Sequence, residues 1–293
     1  MLTENSEIIV DATVGTGGHA EAILAKFKGK LICIDKDKSV LKIAENRLAR
    51  HKSRIKFGHY RFSQIGNFLS SLLIKEVSGF LFDLGLCSLH IDDPQRGFSF
   101  QSEGPLDMRM DQSQLKSALD VVNNYSLPEL TTVLFKYGQE RFSKKIARAI
   151  VNFRSRTLIT TTSQLRGLVE SVVDPRYKVK SKARVFQAIR MEVNDEMSEL
   201  REGLKSAIDF LAPGGRLGVI SFHSLEHSLI REKLGRESKG CICPPHLPVC
   251  GCSAKTRLRM ITRQPIVPSM KEKEDNPRSR SAKLWVAEKL GQE

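Results

Sequence analysis

Short apolar runs that each lead into an aspartate are the feature that most constrains the fold of this chain. Three such runs, at 8–10, 31–34 and 77–82, lead into Asp11, Asp35 and Asp83. A further run at 55–57, with helical patterns between the runs, gives the strand and helix alternation of βαβ units. We therefore predict an α/β fold with a parallel sheet, whose aspartates meet at the carboxyl edge, where open sheets bind ligands.

This alternation is interrupted in the middle of the chain. Helical patterns follow one another at 115–124, 127–137, 141–154 and 162–173. The α/β rhythm then returns with a helix at 195–211 and strands at 217–222, 258–262 and 282–288. The segment at 264–281 is predicted to be a surface loop or a partly disordered segment. We predict a Rossmann-like domain formed by 1–110 and 191–293 and an inserted all-helical substrate-recognition domain at 111–190.

The composition excludes a disordered chain and a membrane protein. The chain has 293 residues, 40% of them hydrophobic, which is enough for a substantial core. No stretch approaches the roughly 20 apolar residues of a membrane span, and the N-terminus lacks a signal pattern. We therefore expect a soluble cytoplasmic protein that does not act on membranes.

The basic excess is distributed unevenly. The net charge of +14 divides into +2 for 1–110, +9 for 111–190 and +3 for 191–293. A basic surface attracts polyanions such as nucleic acid. The charge therefore favours the helical insertion as the part that grips a polyanionic partner.

A glycine-rich loop, Gly15-Thr-Gly17-Gly18-His19, follows the first predicted strand and opens a helix. Such a loop lets a ligand approach the backbone and the N–H groups of the helix N-terminus. Together with Asp35 it is compatible with a dinucleotide fingerprint, and together with Asp11 it resembles the first motif of class I S-adenosylmethionine methyltransferases. A carboxylate beside the loop suits a cationic sulfonium cofactor better than a pyrophosphate, which favours the second interpretation.

Longer motifs make the resemblance specific. They are VDATVGTGGH, the segment 83–111 that begins DLGLCSLHIDDPQRGF, YGQERFSKKIARAI, FQAIRMEVNDE, APGGRLGVISFHSLE and NPRSRSAKL. With these motifs the chain resembles the RsmH (MraW) family, which methylates the exocyclic N4 of a cytosine in 16S ribosomal RNA of the small subunit. The resemblance implies a class I methyltransferase fold, S-adenosyl-L-methionine as cofactor and the small ribosomal subunit as partner.

The resemblance also implies a set of cofactor-binding residues. They are Gly17, Gly18, His19, Asp35, Phe62, Asp83 and His90. Among them Asp35 would hold the ribose hydroxyls and Phe62 would lie near the adenine. The chain departs from the family at Ser88-Leu89-His90, where a Ser-Pro-Gln run is usual, and at its start, where a segment with a His-x-Pro-Val run usually precedes the first strand.

Methylation of a cytosine N4 needs a positioned acceptor, because the nitrogen lone pair is delocalised into the ring. An acceptor must take a hydrogen bond or a proton as positive charge develops on the nitrogen. We predict Asp83 as this catalytic group, with a backbone carbonyl of 84–88 as the alternative.

Candidate contacts to RNA lie in three places. They are Arg96 and Arg109 after the fourth strand, His223 after a late strand, and the helix face formed by Arg141, Lys144, Lys145 and Arg148. Four more cations at 178–184 are predicted to lie in the loop that follows this helical region. Basic side chains concentrated in this way bind phosphates. For Arg96 and Arg109 a local ion-paired role is the alternative, and for His223 it is a place in the core.

Four cysteines form a tight cluster near the C-terminus. They are Cys241, Cys243, Cys250 and Cys252. Four thiolates bind Zn²⁺ tetrahedrally, although paired Cys-x-Cys spacing is less typical than Cys-x-x-Cys. A zinc site, exposed thiols and disulfides are all compatible with the pattern.

Two other functions use the same features. A dehydrogenase would bind a nicotinamide cofactor in the glycine loop, and a ribosome-assembly factor would bind RNA on this fold without turnover. Cofactor binding separates the first from a methyltransferase, and methyl transfer separates the second.

Overall fold

Strands and helices lie close to the positions that the sequence predicts. The computed structural model describes residues 7–241, 243, 252 and 255–291. The chain divides into an α/β unit, Met1–Gly85 with Met197–Glu293, and a helical unit, Leu86–Glu196.

In the described residues the strands are β1 Ile8–Asp11, β2 Lys30–Asp35, β3 Ile55–His59, β4 Val77–Asp83, β5 Leu211–Ser221, β6 Leu258–Met260 and β7 Lys283–Lys289. The helices are α1 Gly18–Lys26, α2 Lys38–Arg47, α3 Ile65–Ser71, α4 Ser88–Asp92, α5 Ala118–Asn124, α6 Leu127–Lys136, α7 Ser143–Arg154, α8 Thr162–Val172, α9 Lys178–Asn194, α10 Glu196–Phe210, α11 Ser224–Glu237 and α12 Met270–Asp275.

The strands form one sheet in the order β3-β2-β1-β4-β5-β7-β6. The first five strands are parallel, whereas β7 runs antiparallel to both β5 and β6. The strand order reverses between β1 and β4, so the carboxyl ends of these two strands flank a topological switch point. The predicted α/β class is confirmed, whereas the sheet is parallel only over β1 to β5 and becomes mixed through the antiparallel β7.

Helices cover both faces of this sheet because successive strand residues point to opposite sides. In β1, Ile9 packs into a cluster with residues of α1 and α2. Val10, its neighbour, packs into a larger cluster that includes residues of α3, α10 and α11. Burial on both faces explains why the strands read as continuous apolar runs.

The helical unit has its own core and extends beyond the predicted range of 111–190. Four apolar side chains upstream of 111 are buried in this core, namely Phe98, Leu106, Met108 and Met110. Val193 is buried there too, on the downstream side. The structural boundaries therefore fall at 86 and 196, because side-chain packing rather than helical periodicity decides membership of the unit.

These boundaries change the distribution of charge. The added segments bring mostly acidic residues, so the helical unit has 17 Lys and Arg against 13 Asp and Glu, a net charge of +4. The α/β unit has the remaining +10. The expectation that the basic excess belongs to the insertion is wrong for the unit as a whole, and the argument for RNA binding moves to individual helix faces.

Two predicted loops contain helices. The predicted surface loop at 264–281 includes α12, and the predicted loop at 178–184 is the start of α9. Lys178, Lys180, Lys182 and Arg184 lie in the first half of α9. Ser181, Val185 and Ile189 recur at intervals of four residues and are buried, which is the spacing of a helix face that packs on a core. Across the described residues, no helix is long and apolar enough to cross a membrane.

Candidate active site

The glycine loop between β1 and α1 has positive φ angles at Gly15 and Gly17, and Gly17 is the more constrained of the two. Gly17 has a φ of 89° and comes directly before the first residue of α1. A Cβ there would also lie 3.3 Å from Leu48 Cδ1. Gly18, by contrast, begins the helix, and a Cβ on it would meet only the end of Arg47 at 4.0 Å. Gly17 therefore fixes the turn that directs the N–H groups of α1 to the carboxyl edge of the sheet.

Asp11 ends β1 as a fully buried carboxyl group. Its Oδ1 accepts a hydrogen bond from the Thr13 amide at 3.2 Å, while Oδ2 is buried with no hydrogen-bond partner among the described residues. Burial, together with the negative charges of Asp83 and Asp35, raises the pKa of Asp11 to about 7. A buried carboxyl group with an unsatisfied oxygen at a switch point is suited to bind a donor or a cation.

Asp35 ends β2 and holds the glycine loop in place. Its Oδ2 accepts from the Gly15 amide at 2.9 Å, and its Oδ1 accepts from the Asp37 amide at 2.9 Å. Asp37 then caps α2 through its own carboxylate. The residue predicted to bind a ribose thus connects the glycine loop with the start of α2.

Asp83 ends β4 beside His19, and the structure brings these two predicted residues together. His19 Nδ1 lies 3.5 Å from Asp83 Oδ2. Oδ1 of Asp83 is buried and has no hydrogen-bond partner in the described part of the chain. Burial raises the pKa of Asp83; His19 opposes this increase and Glu226 adds to it. Asp83 thus combines a solvent-facing histidine partner with a buried, unsatisfied oxygen.

Thr13 connects the carboxyl group of Asp11 with the backbone of Asp83. Its amide donates to Asp11, and its Oγ1 accepts from the Asp83 amide at 2.6 Å. A hydroxyl two residues after the first strand is an uninformative signal in one sequence, so the prediction missed it. Thr13 fixes the ends of β1 and β4 relative to each other.

His223 is the N-cap residue of α11, and its side chain is largely buried. Its Nδ1 accepts from the Glu226 amide at 3.4 Å, and its Nε2 lies 3.2 Å from Glu226 Oε1. Glu226 is buried and accepts in return from the Phe222 and His223 amides. These contacts match the alternative of a structural histidine, and they identify Glu226 as a charged neighbour of Asp83 that the sequence did not reveal.

Phe62 lies in the short turn after β3 and packs against the sheet. Its ring contacts Phe82 edge to face, with centroids 5.4 Å apart. A Cβ on Gly203 would lie only 2.6 Å from Phe62 Cβ, so α10 approaches this side chain closely. Phe62 has a packing role in the α/β unit, and its predicted place near an adenine stays a prediction.

Three of the predicted site residues belong to the helical unit and make contacts within that unit. His90 is buried and its ring lies 5.1 Å from that of Phe98. The buried Arg96 donates from Nη2 to the carbonyl oxygens of Arg109 and Met110. Arg109 forms a two-bond ion pair with Asp107 and donates to two further carbonyls. Both arginines hold the loop before α5, which matches the local role left open for them.

The predicted basic face of α7 is exposed. Lys144, Lys145 and Arg148 point to solvent while Ile146 and Ile150 are buried on the opposite side. Arg141, just before the helix, stacks on Tyr177, with its guanidinium carbon 3.6 Å from the ring centroid. A guanidinium held on an aromatic ring beside lysines is a surface suited to phosphate and base contacts.

Comparison with known proteins identifies the family. The model of the MraW methylase family matches residues 1–290. The chain belongs to the MraW methylase family.

Relatives of this family are similar along almost their whole length. The chain is 46% identical to the "Ribosomal RNA small subunit methyltransferase H" of Caldicellulosiruptor saccharolyticus, over 99% of this chain and 95% of the relative. It is 44% identical to the protein of the same name from Finegoldia magna, over 98% and 93% of the two chains. It is 46% identical to that from Carboxydothermus hydrogenoformans, over 97% and 92%. The family inferred from the motifs is therefore confirmed.

Proposed function

We propose that this MraW family protein transfers a methyl group from S-adenosyl-L-methionine to the exocyclic N4 of a cytidine in 16S ribosomal RNA. Family membership and the names of its relatives support a methyltransferase of small-subunit ribosomal RNA. The cytidine N4 rests on the motifs from Asp83 to Asp111. The observation that carries the proposal is the set of acidic groups ending β1, β2 and β4 around the glycine loop.

The charge of these groups fits a cationic methyl donor. Asp11 and Asp83 each have a buried oxygen with no hydrogen-bond partner in the described residues, and their mutual repulsion raises the pKa of Asp11. An ammonium or sulfonium ligand would relieve this repulsion, whereas a pyrophosphate would add to it. S-adenosylmethionine supplies an electrophilic methyl group when bound, and Asp11, the Gly17 turn and Asp35 are the residues we expect to hold it.

Asp83 is the residue best suited to accept a proton or hydrogen bond from the target amine. Its carboxylate ends β4 at the switch point. His19 lies beside Oδ2, while Oδ1 is the buried oxygen that has no hydrogen-bond partner among the described residues. A carboxyl group must be ionised before it can take a proton from the amine as positive charge develops. His19 favours the ionised form of Asp83 and thereby opposes the effect of burial.

Helix α7 and its neighbours provide the surface that we expect to bind the RNA backbone. The exposed cations of α7 and the stack of Arg141 on Tyr177 offer charge and an aromatic plane on the helical unit. Single-stranded RNA is recognised through such combinations, and a target base in folded RNA must leave its stack to react.

Calorimetry tests the cofactor assignment. We expect the protein to bind S-adenosylmethionine and not NADH, and we expect Asp11→Asn to weaken binding at least 10-fold, since it removes a buried charge beside a cationic ligand. Asp275→Asn, an exposed change in the same unit, is the matched control. NADH binding in place of S-adenosylmethionine would establish the dehydrogenase alternative.

Charge reversal tests the RNA surface. The variant changes Arg141, Lys144, Lys145 and Arg148 to glutamate. We expect RNA affinity to fall and the slope of affinity against salt concentration to become shallower, since fewer phosphates are neutralised. The control reverses Lys271 and Lys273 on α12 of the α/β unit. Equal affinity and equal salt slope in both variants would refute the role of α7.

A further inference from the structure

Three cysteines lie together where the chain leaves α11 and returns to β6. Cys241 and Cys243 follow the end of α11, and Cys252 precedes β6. Their sulfur atoms all lie within 4.8 Å of one another. The fourth cysteine of the sequence cluster, Cys250, lies outside the described residues.

The two chain segments that carry these cysteines are held together at their base. Arg257 donates its amide to the Glu237 carbonyl at 2.9 Å, and its guanidinium lies 3.3 Å from the Glu237 carboxylate. A little further along, a Cβ on Gly240 would lie 3.0 Å from Thr256 Oγ1, so the Thr256 side chain lies close to the Gly240 backbone. The fold therefore brings Cys241 and Cys252 face to face through contacts that do not involve the sulfurs.

The sulfur geometry fits a tetrahedral metal. Cys241 Sγ and Cys252 Sγ are 3.7 Å apart. Two zinc–sulfur bonds of about 2.3 Å at a tetrahedral angle place their sulfurs about 3.8 Å apart, whereas a disulfide would require about 2.05 Å. In addition, the Cys243 amide donates to Cys241 Sγ at 3.4 Å. Such a bond stabilises the thiolate, which is the form that binds metal.

We propose that Cys241, Cys243 and Cys252 bind a structural Zn²⁺ ion that joins the end of α11 to the start of β6. These cysteines are distinct from the strand-ending carboxyl groups, so this site is independent of the methyltransferase reaction. Thiolates are the ligands that structural zinc sites prefer, and three preorganised sulfurs leave one coordination position for a further ligand.

Metal analysis of the full-length protein tests this site. We expect protein purified without chelator from zinc-supplemented cells to contain about one Zn²⁺ per chain. Replacement by Co²⁺ should give the visible absorption of tetrahedral cobalt thiolate. Cys241→Ser and Cys252→Ser should each lose the bound zinc, whereas Cys87→Ser, in the helical unit, should retain it.

A second measurement separates loss of zinc from loss of fold. Urea unfolding followed through Trp285 shows whether each serine variant still folds, and the cobalt spectrum of the unsubstituted protein does not depend on any variant. Zinc-free protein with no cobalt–thiolate absorption would overturn the proposal. So would zinc retained in full by both serine variants, or cysteines that resist maleimide without reductant and react with it after reduction, because these would then be disulfides.

Discussion

Replacing Asp11 by asparagine tests whether ionisation of this buried carboxyl group destabilises the folded protein. In the folded protein without ligand the pKa of Asp11 is about 7, against an ordinary value of 3.8, because burial disfavours the charged form. Below about pH 4 the group is protonated in both folded and unfolded chains, so its titration contributes nothing. Between about pH 4 and pH 7 the unfolded chain ionises first, so folding becomes progressively less favourable.

The size of this effect follows from the two pKa values. The gap between 3.8 and about 7, at about 1.4 kcal/mol for each pH unit, corresponds to about 4 kcal/mol of lost stability at pH 8. Asparagine keeps the acceptor for the Thr13 amide and does not ionise. We therefore expect the stability of Asp11→Asn relative to the unsubstituted protein to rise by about 4 kcal/mol between pH 4 and pH 8.

Urea unfolding of cofactor-free protein across this pH range measures the difference. The single tryptophan, Trp285, is buried in β7 and reports on the unit that contains Asp11. Its indole N–H donates to His227, and burial lowers the pKa of that histidine, but this titration is common to both proteins and cancels in the comparison. Asp275→Asn serves as the exposed control. A stability difference that does not change with pH, or that changes in the opposite direction, would refute the reasoning.

Three further substitutions separate packing from chemistry. Gly17→Ala should cost about 1–2 kcal/mol of stability, because an L-residue is strained at its φ of 89°, whereas Gly18→Ala should be tolerated; equal urea midpoints for the two would contradict this. Arg96→Met should destabilise the protein by about 1–3 kcal/mol, because it removes donors to buried carbonyls. A loss of RNA affinity at unchanged stability would instead assign Arg96 to the substrate. Asp83→Asn should lower kcat for methyl transfer about 100-fold or more while the fold, checked by circular dichroism, is retained, and unchanged kcat would remove Asp83 from the reaction.

The acidic edge of the sheet was predictable because a strand buried on both faces leaves a clear pattern. An apolar run interrupted by an aspartate marks both the end of the strand and a polar group at the ligand edge. Asp11, Asp35 and Asp83 follow this pattern, and the structure places all of them around the switch point. The register between the parallel strands aligns their carboxyl ends, so aspartates that are far apart in sequence lie along one edge of the sheet.

The helical unit was less predictable because its core includes residues without helical periodicity. Met108 and Met110 lie in an irregular segment, yet they are buried as deeply as the helix residues they contact. The start of helix α9 was not predicted because its first half carries four cations, and a charged run is compatible with either a loop or a solvated helix face. Burial of Arg96 depends on distant carbonyls, and a single sequence carries no signal for such a contact.

The most direct test of the proposed function is methyl transfer to isolated small ribosomal subunits from cells that lack this activity. The protein is incubated with the subunits and S-adenosylmethionine carrying a labelled methyl group, and the 16S RNA is digested to nucleosides and separated. We predict label in N4-methylcytidine alone, incorporated at least about 100-fold more slowly when Asp83→Asn replaces the unsubstituted protein. Label in 5-methylcytidine or another nucleoside would contradict the assignment to N4, and subunits without label, from protein that binds the cofactor, would show a binding factor without turnover.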